Sequence, residues 1–358
     1  MSAALFRKAL PILALGAALA FAGGATAEND LAVPPAALAA PPNSGSAELR
    51  AALQLLAAQD ARVAAIAYRL AVTNVQFCRD TEPEPGVVIQ SVFQYSPRLR
   101  PVVRAVFSID DRPAILAVAP DGPGERAGLK ANDILLTISG APVSESALGH
   151  TTTDDRPQSY ADVDRARSSL EAALKLGPAR VSVQRGARVL DVIINPQPGC
   201  AYDTQLMPST SLNASADGHH VFIDTALVAY AADDNDLALV LGHELAHDVL
   251  HHREQLDRQG FARNLIGNLG SSRQSLIKAE SQADYVGLYL TARAGYDISG
   301  AGAFWRKLAH DHGDPWYDHY DHPSAAARSR ALDAAREEIA GKIKAGAPLI
   351  PNVGDGAN

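Results

Sequence analysis

The chain has 358 residues, 47% of them hydrophobic, which supplies packed domains and excludes a globally disordered protein. Its formal net charge is −8 and it carries no long Lys/Arg run or basic stripe, which excludes a nucleic-acid footprint.

Arg7 and Lys8 precede an uncharged apolar stretch, ALPILALGAALAFAGG, and the small residues Ala25 and Ala27 follow it. This is the pattern of a secretory signal peptide cleaved after Ala27. An uncleaved membrane anchor is the alternative. No later segment holds 18 apolar residues in a row, so no transmembrane segment is expected in the mature chain. Export would carry Cys78 and Cys200 into an oxidising compartment, and an even pair suggests one disulfide.

Residues 28–46 are rich in Pro, Ala and Ser and read as a linker. From Ala47, the positions Leu49, Leu53, Leu56, Val63, Ile66 and Leu70 recur at helical spacing without Gly or Pro, so one long amphipathic helix is expected, ending just before Cys78. After the break DTEPEPG the texture turns to short strands and turns. AILAVAP and DILLTISG read as strands, and RVSVQRGARVLDVIINP as a hairpin turning at Arg185-Gly186. A helix is expected from about Tyr160 to Leu176, after a surface loop SESALGHTTTDDRPQS. Beyond Cys200 come a turn and a strand in LNASADGHHVFIDTALVAY. Helices follow at 234–253, 274–294, 299–311 and 323–344, and then a loose tail, 345–358.

The segment LALVLGHELAHDVLHH places four histidines and a glutamate in an otherwise apolar helix. His243, Glu244 and His247 form H-E-x-x-H. Residues four apart share a helix face, so two imidazoles can meet one tetrahedral ion there. Zinc is the natural candidate, one ion per chain, and Glu244 then stands beside the ion's water as general base. A third ligand is required. Glu280 and Asp284 share a face of LIKAESQADYVGLYLTARAGY among apolar residues, where a buried carboxylate is costly unless paired or bound to metal. Glu280 on zinc, with Asp284 orienting a ligand histidine, resolves that cost. His251, His252, His310, His312 and His319 read as solvated, and Asp248 as a structural polar residue.

In this order, LALVLGHELAHDVLHH, AESQADYVGLYLTARAGYD, FWRKL and DHPSAAARSRAL resemble the HtpX, Oma and CAAX-prenyl-protease type of zinc metallopeptidase, over roughly residues 47–78 and 200–335. The resemblance implies a gluzincin with zinc ligands His243, His247 and Glu280 and general base Glu244. It places His322 near the metal, as oxyanion stabiliser or as temporary ligand of a closed state. It gives Arg328 the role of holding that loop or of polarising the tetrahedral intermediate. The strand before the catalytic helix would offer an edge to an extended substrate backbone.

Residues 86–196 resemble a PDZ domain of the kind found in exported bacterial proteases, on Gly128, Leu129, Asp133, Ile134 and Gly140 within AILAVAPDGPGERAGLKANDILLTISGAPV. The glycine-containing loop that binds a terminal carboxylate in such domains is not evident near RPVVRAVFSID. The module interrupts the path from first helix to catalytic strand, so a Cys78–Cys200 disulfide would clamp its neck. The expected fold is therefore α+β. A mainly helical zincin-type domain with a small sheet (47–78 and 200–344) carries an inserted β-rich module (79–199). The expected function is a periplasmic zinc endopeptidase acting on unfolded or misassembled envelope proteins, with the module binding a C-terminal or internal peptide, or gating. The rival is a chaperone-like scaffold with a latent, capped zinc site.

Overall fold

A computed structural model describes residues 47–143, 158–258, 271–312 and 324–353. The expected signal peptide, its cleavage site at Ala27, the linker, His319 and His322 lie outside these residues.

Helix α1 (Ala47–Thr73) begins the described chain, as its apolar spacing predicts. Strands β1 (Thr81–Pro83) and β2 (Val87–Gln90) follow. The stretch RPVVRAVF, expected to be part of a strand-and-turn region, forms helix α2 (Arg100–Phe107) instead. Pro101 sits in its first turn, where a missing N–H costs nothing, and Val102, Val103 and Phe107 are buried. Then come β3 (Ala114–Val118), the one-turn α3 (Pro123–Arg126), β4 (Ile134–Ile138), β5 (Ala141–Pro142) and helix α4 (Ala161–Lys175). The hairpin of β6 (Ala179–Arg185) and β7 (Arg188–Ile194) pairs Arg185 with Arg188, so Gly186 and Ala187 make the turn, one residue beyond the expected position. The sheet order is β2-β3-β4-β6-β7, with β5 beside β4. Its face buries Ile115, Leu135, Val181 and Val183 against Leu170 and Leu174 of α4.

Strand β8 (Pro198–Cys200) returns antiparallel to β1, pairing Thr81 with Cys200. Cys78 and Cys200 form a disulfide there, with Cα atoms 5.4 Å apart. Covalent link and two-stranded ladder thus close the neck together. Replacing both cysteines by serine should lower the unfolding free energy by about 2–4 kcal/mol, because the link removes loop-closure entropy from the unfolded chain. A urea titration under non-reducing conditions reads this out; an unchanged midpoint would mean that the ladder alone suffices.

The rest of the chain forms a small sheet and a helical body. Strands β9 (Asp203–Met207), β10 (Ala214–Ala216) and β11 (His220–Asp224) are ordered β10-β11-β9, with β10 at one edge. Six helices follow: α5 (Thr225–Tyr230), α6 (Asp234–Val249), α7 (His252–Arg258), α8 (Ser271–Arg293), α9 (Ala301–His312) and α10 (Ala325–Lys344). Their core joins Leu237, Leu241 and Leu245 of α6, Tyr289 of α8 and Leu332 of α10 with Val63, Ile66 and Leu70 of α1. The first turns of α1 pack elsewhere: Leu49 and Leu53 are buried against Val102, Val103 and Phe107 of α2. One helix therefore serves both bodies, which its continuous apolar stripe permits and sequence spacing alone did not reveal. The tail, expected to be loose, is held as far as Val353. Leu349 and Val353 pack on the helical core, and Arg293 Nη1 donates to the Leu349 carbonyl at 3.3 Å.

Candidate metal centre

Helix α6 starts at an Asp233 cap, whose carboxylate accepts from the backbone N–H groups of Asn235 and Asp236. From Leu237 to Ala246 every residue is buried. Helix α8 packs along it at close range because two glycines face each other. A Cβ on Gly242 would lie 2.3 Å from Thr291 Oγ1, and one on Gly287 would lie 2.8 Å from the Gly242 carbonyl oxygen. Neither contact is sterically tolerable, so the pair sets the helix separation. That separation brings Glu280 and Asp284, one turn apart on α8, against the histidines of α6.

The structure gathers His243, His247 and Glu280 with ligand atoms all within 4.8 Å of one another. The two Nε2 atoms are 3.1 Å apart. Glu280 reaches His243 Nε2 at 3.2 Å with one carboxylate oxygen and His247 Nε2 at 3.5 Å with the other. A tetrahedral ion with metal–ligand bonds of about 2.0–2.1 Å has ligand–ligand edges of about 3.3 Å. The donor set and its spacing therefore fit a zinc-sized cation.

His243 is held from behind. Its Nδ1 lies 3.0 Å from Asp284 Oδ1. Burial alone would push its imidazolium down, but the bonds to Asp284 and Glu280 outweigh burial and lift it to about 10. Without a metal, the cluster attracts a proton in the same place. Arg328 of α10 grips Asp284 from the far side, Nε at 2.8 Å and Nη2 at 2.6 Å, and its guanidinium stacks 3.6 Å from the Trp305 ring. Burial of Asp284 favours its neutral form, yet the Arg328 charge and the His243 contact overcome this and keep the carboxyl below its usual range. The expected role of Arg328 on the tetrahedral intermediate is therefore corrected: the guanidinium is engaged with Asp284 behind His243. The rival capped state depends on His322, outside the described residues.

Glu244, 8% exposed, lines a cleft of about 280 Å³ together with His243, His247, Glu280 and residues 212–216 around β10. Burial pushes its carboxyl up, while His243 and His247 pull it back. The edge strand at the cleft is β10, not β11, whose two edges are both paired. Asp248 is half-buried at the same cleft, and burial followed by the Glu244 charge raises it to about 7.

His252 departs most from expectation. The helix expected over 234–253 stops at Leu250, because His251 takes a left-handed backbone with φ of 53°. That residue turns the chain, and α7 begins with His252 buried at 3% exposure, its Nδ1 3.0 Å from His247 Nδ1. It is thus not solvated but backs the second histidine, as Asp284 backs the first. Burial, then the neighbouring His247, lowers it to about 4. His310 is exposed, as expected. Trp305 was not singled out from sequence; nothing local marks it as the wall beside Arg328 and His243.

Two family models match the chain: one described as Peptidase family M48 over residues 182–269, and one described as PDZ domain over residues 115–155. Among curated proteins, the mitochondrial metalloendopeptidase OMA1 of Arabidopsis thaliana is 31% identical over 136 residues, covering 32% of this chain and 27% of that protein. The mitochondrial metalloendopeptidase OMA1 of Bos taurus is 30% identical over 146 residues, covering 32% and 28%. The chain spans about a quarter of the length of these relatives. The crystal structure of the HtrA3 PDZ domain bound to a phage-derived ligand is similar at 20% identity and a TM-score of 0.23, covering 33% of this chain and 89% of that one.

Proposed function

We propose, from the premise that this chain is a zincin-type metallopeptidase of family M48 with a PDZ domain, that it is a zinc endopeptidase acting on unfolded or misassembled proteins. The observation that carries the reading is the spacing of the three ligand atoms of His243, His247 and Glu280, which suits one tetrahedral cation. A zinc ion held there would act as a Lewis acid and lower the pKa of water in the site.

The chain's own residues would do the rest. Asp284 and His252 orient the ring nitrogens that face the ion. Glu244 accepts the proton of the attacking water and returns it to the leaving amine, a task its burial-raised carboxyl suits near neutral pH. An extended substrate lies along the β10 edge, and main-chain pairing there tolerates many side chains, as an unfolded-protein substrate requires. Export to an oxidising compartment such as the periplasm fits the Cys78–Cys200 disulfide. Among the described residues, no helix is long and apolar enough to cross a membrane. The PDZ module, fixed by its neck and by α1, is placed to present or gate substrate.

Metal analysis together with casein cleavage tests this. We expect about one zinc per chain, cleavage abolished by 1,10-phenanthroline and restored by added zinc, and loss of both metal and cleavage in Glu280→Gln. Cleavage that survives complete metal removal would overturn the assignment.

A further inference from the structure

The largest cavity described in the chain is not at the metal centre. It measures about 760 Å³ and is walled by β2, α4, α1 and β9. Strand β2 is the edge of its sheet, with β3 as its neighbour among the described residues, and α4 runs beside it. An edge strand flanked by a helix is the arrangement in which an extended peptide adds as a further strand. The chemistry of this groove is unusual for such a site. Its lining carries six carboxylates: Asp60, Glu82, Glu84, Asp164, Glu171 and Asp203. The one guanidinium in the lining, Arg167, is engaged with Asp203 at 2.5 Å, and Lys175 pairs with Glu171. Asp60, Glu82, Glu84 and Asp164 make no ion pair among the described residues.

Two further observations point to a ligand. Tyr68, 8% exposed, lines the cavity, and its hydroxyl has no hydrogen-bond partner among the described residues. Burial also forces the acids toward neutrality: Glu84 rises to about 8, and Glu82 and Asp60 to about 7. Buried carboxylates of this kind are costly until an opposite charge arrives. A terminal carboxylate, the usual guest of a PDZ groove, would instead add a like charge. The apolar parts of the wall, Leu56, Ile89 and Leu170 among them, suit alternating hydrophobic side chains.

We propose that this cavity docks an extended, cationic segment of another polypeptide, pairing its main chain with the β2 edge and setting lysine or arginine side chains against Glu82, Glu84 and Asp60. The proposal rests on the PDZ reading of the module and not on the zinc chemistry, so either can fail alone.

Fluorescence anisotropy on the full chain, carrying Glu244→Gln so that peptides survive, tests it. The probe is a labelled, C-terminally amidated peptide alternating valine and lysine. Comparators replace lysine by glutamate, or are neutral with a free C-terminal carboxylate. We expect saturable binding of the lysine peptide only, weakened about tenfold in Glu84→Gln and in Asp164→Asn, which lies on a different element, and unchanged in the remote Glu337→Gln. Equal or tighter binding of the neutral carboxylate peptide would overturn the proposal. So would indifference of the lysine peptide to both cavity variants, or the absence of saturable binding. Circular dichroism of each variant separates lost binding from lost folding.

Discussion

Glu244→Gln is expected to cut peptide-bond cleavage by about 10²- to 10⁴-fold while stoichiometric metal stays bound. Glutamine keeps the shape of the side chain and the wall of the cleft but accepts no proton. Glu244 is outside the gathered donor set of His243, His247 and Glu280, so its replacement leaves the metal held. The burial that raises its carboxyl also means the glutamine meets little solvent to recruit a substitute base. Metal content and kcat measured on the same preparation check both halves. Loss of metal with activity would make Glu244 a ligand, and unchanged kcat would remove it from the mechanism.

Arg328→Leu is expected to lower the unfolding free energy by about 3–5 kcal/mol, because it strands Asp284 as an uncompensated buried charge. Leucine preserves contact with Trp305 but returns none of the donors. Arg328→Lys should fall between, since an ammonium neither forks across the carboxylate nor stacks flat on the indole. Because the Asp284 carboxyl is lowered in the folded protein, its share of stability holds above the ordinary carboxylate range and is lost on acidification. The Arg328→Leu penalty should therefore shrink at low pH. The same variant loosens the hold on His243, so zinc affinity in a chelator competition should drop about 10- to 100-fold. Wild-type urea midpoints for Arg328→Leu would refute the account of this pair.

What the sequence reveals about the site follows from helical period. H-E-x-x-H and the Glu280/Asp284 pair are spaced by one turn, so each pair shares a face before any fold is known. Their convergence is less legible, since it depends on Gly242 meeting Gly287, and a glycine in an apolar run announces no partner. His252 escapes because the turn at His251 lies in a run with good helical character, and only a left-handed backbone reveals the break. Arg328 is visible as a residue and misassigned in role, because which neighbour takes a guanidinium is a tertiary fact. In the module, the turn glycines and strands read clearly. Helix α2 does not, since its valines and phenylalanine suit a strand as well as a buried helix. The acidic groove is invisible in one dimension: its carboxylates come from four separate elements.

The neck has a topological consequence. The polypeptide departs at Cys78 and comes back at Cys200 with main-chain positions 5.4 Å apart, a gap that one or two residues can bridge. The intervening stretch is thus a guest that can be cut out and spliced over, or exchanged for another of similar footprint, without re-routing the host. A proteolytic nick within the guest would likewise leave two fragments joined through sulfur, and they would part only where reductant is present.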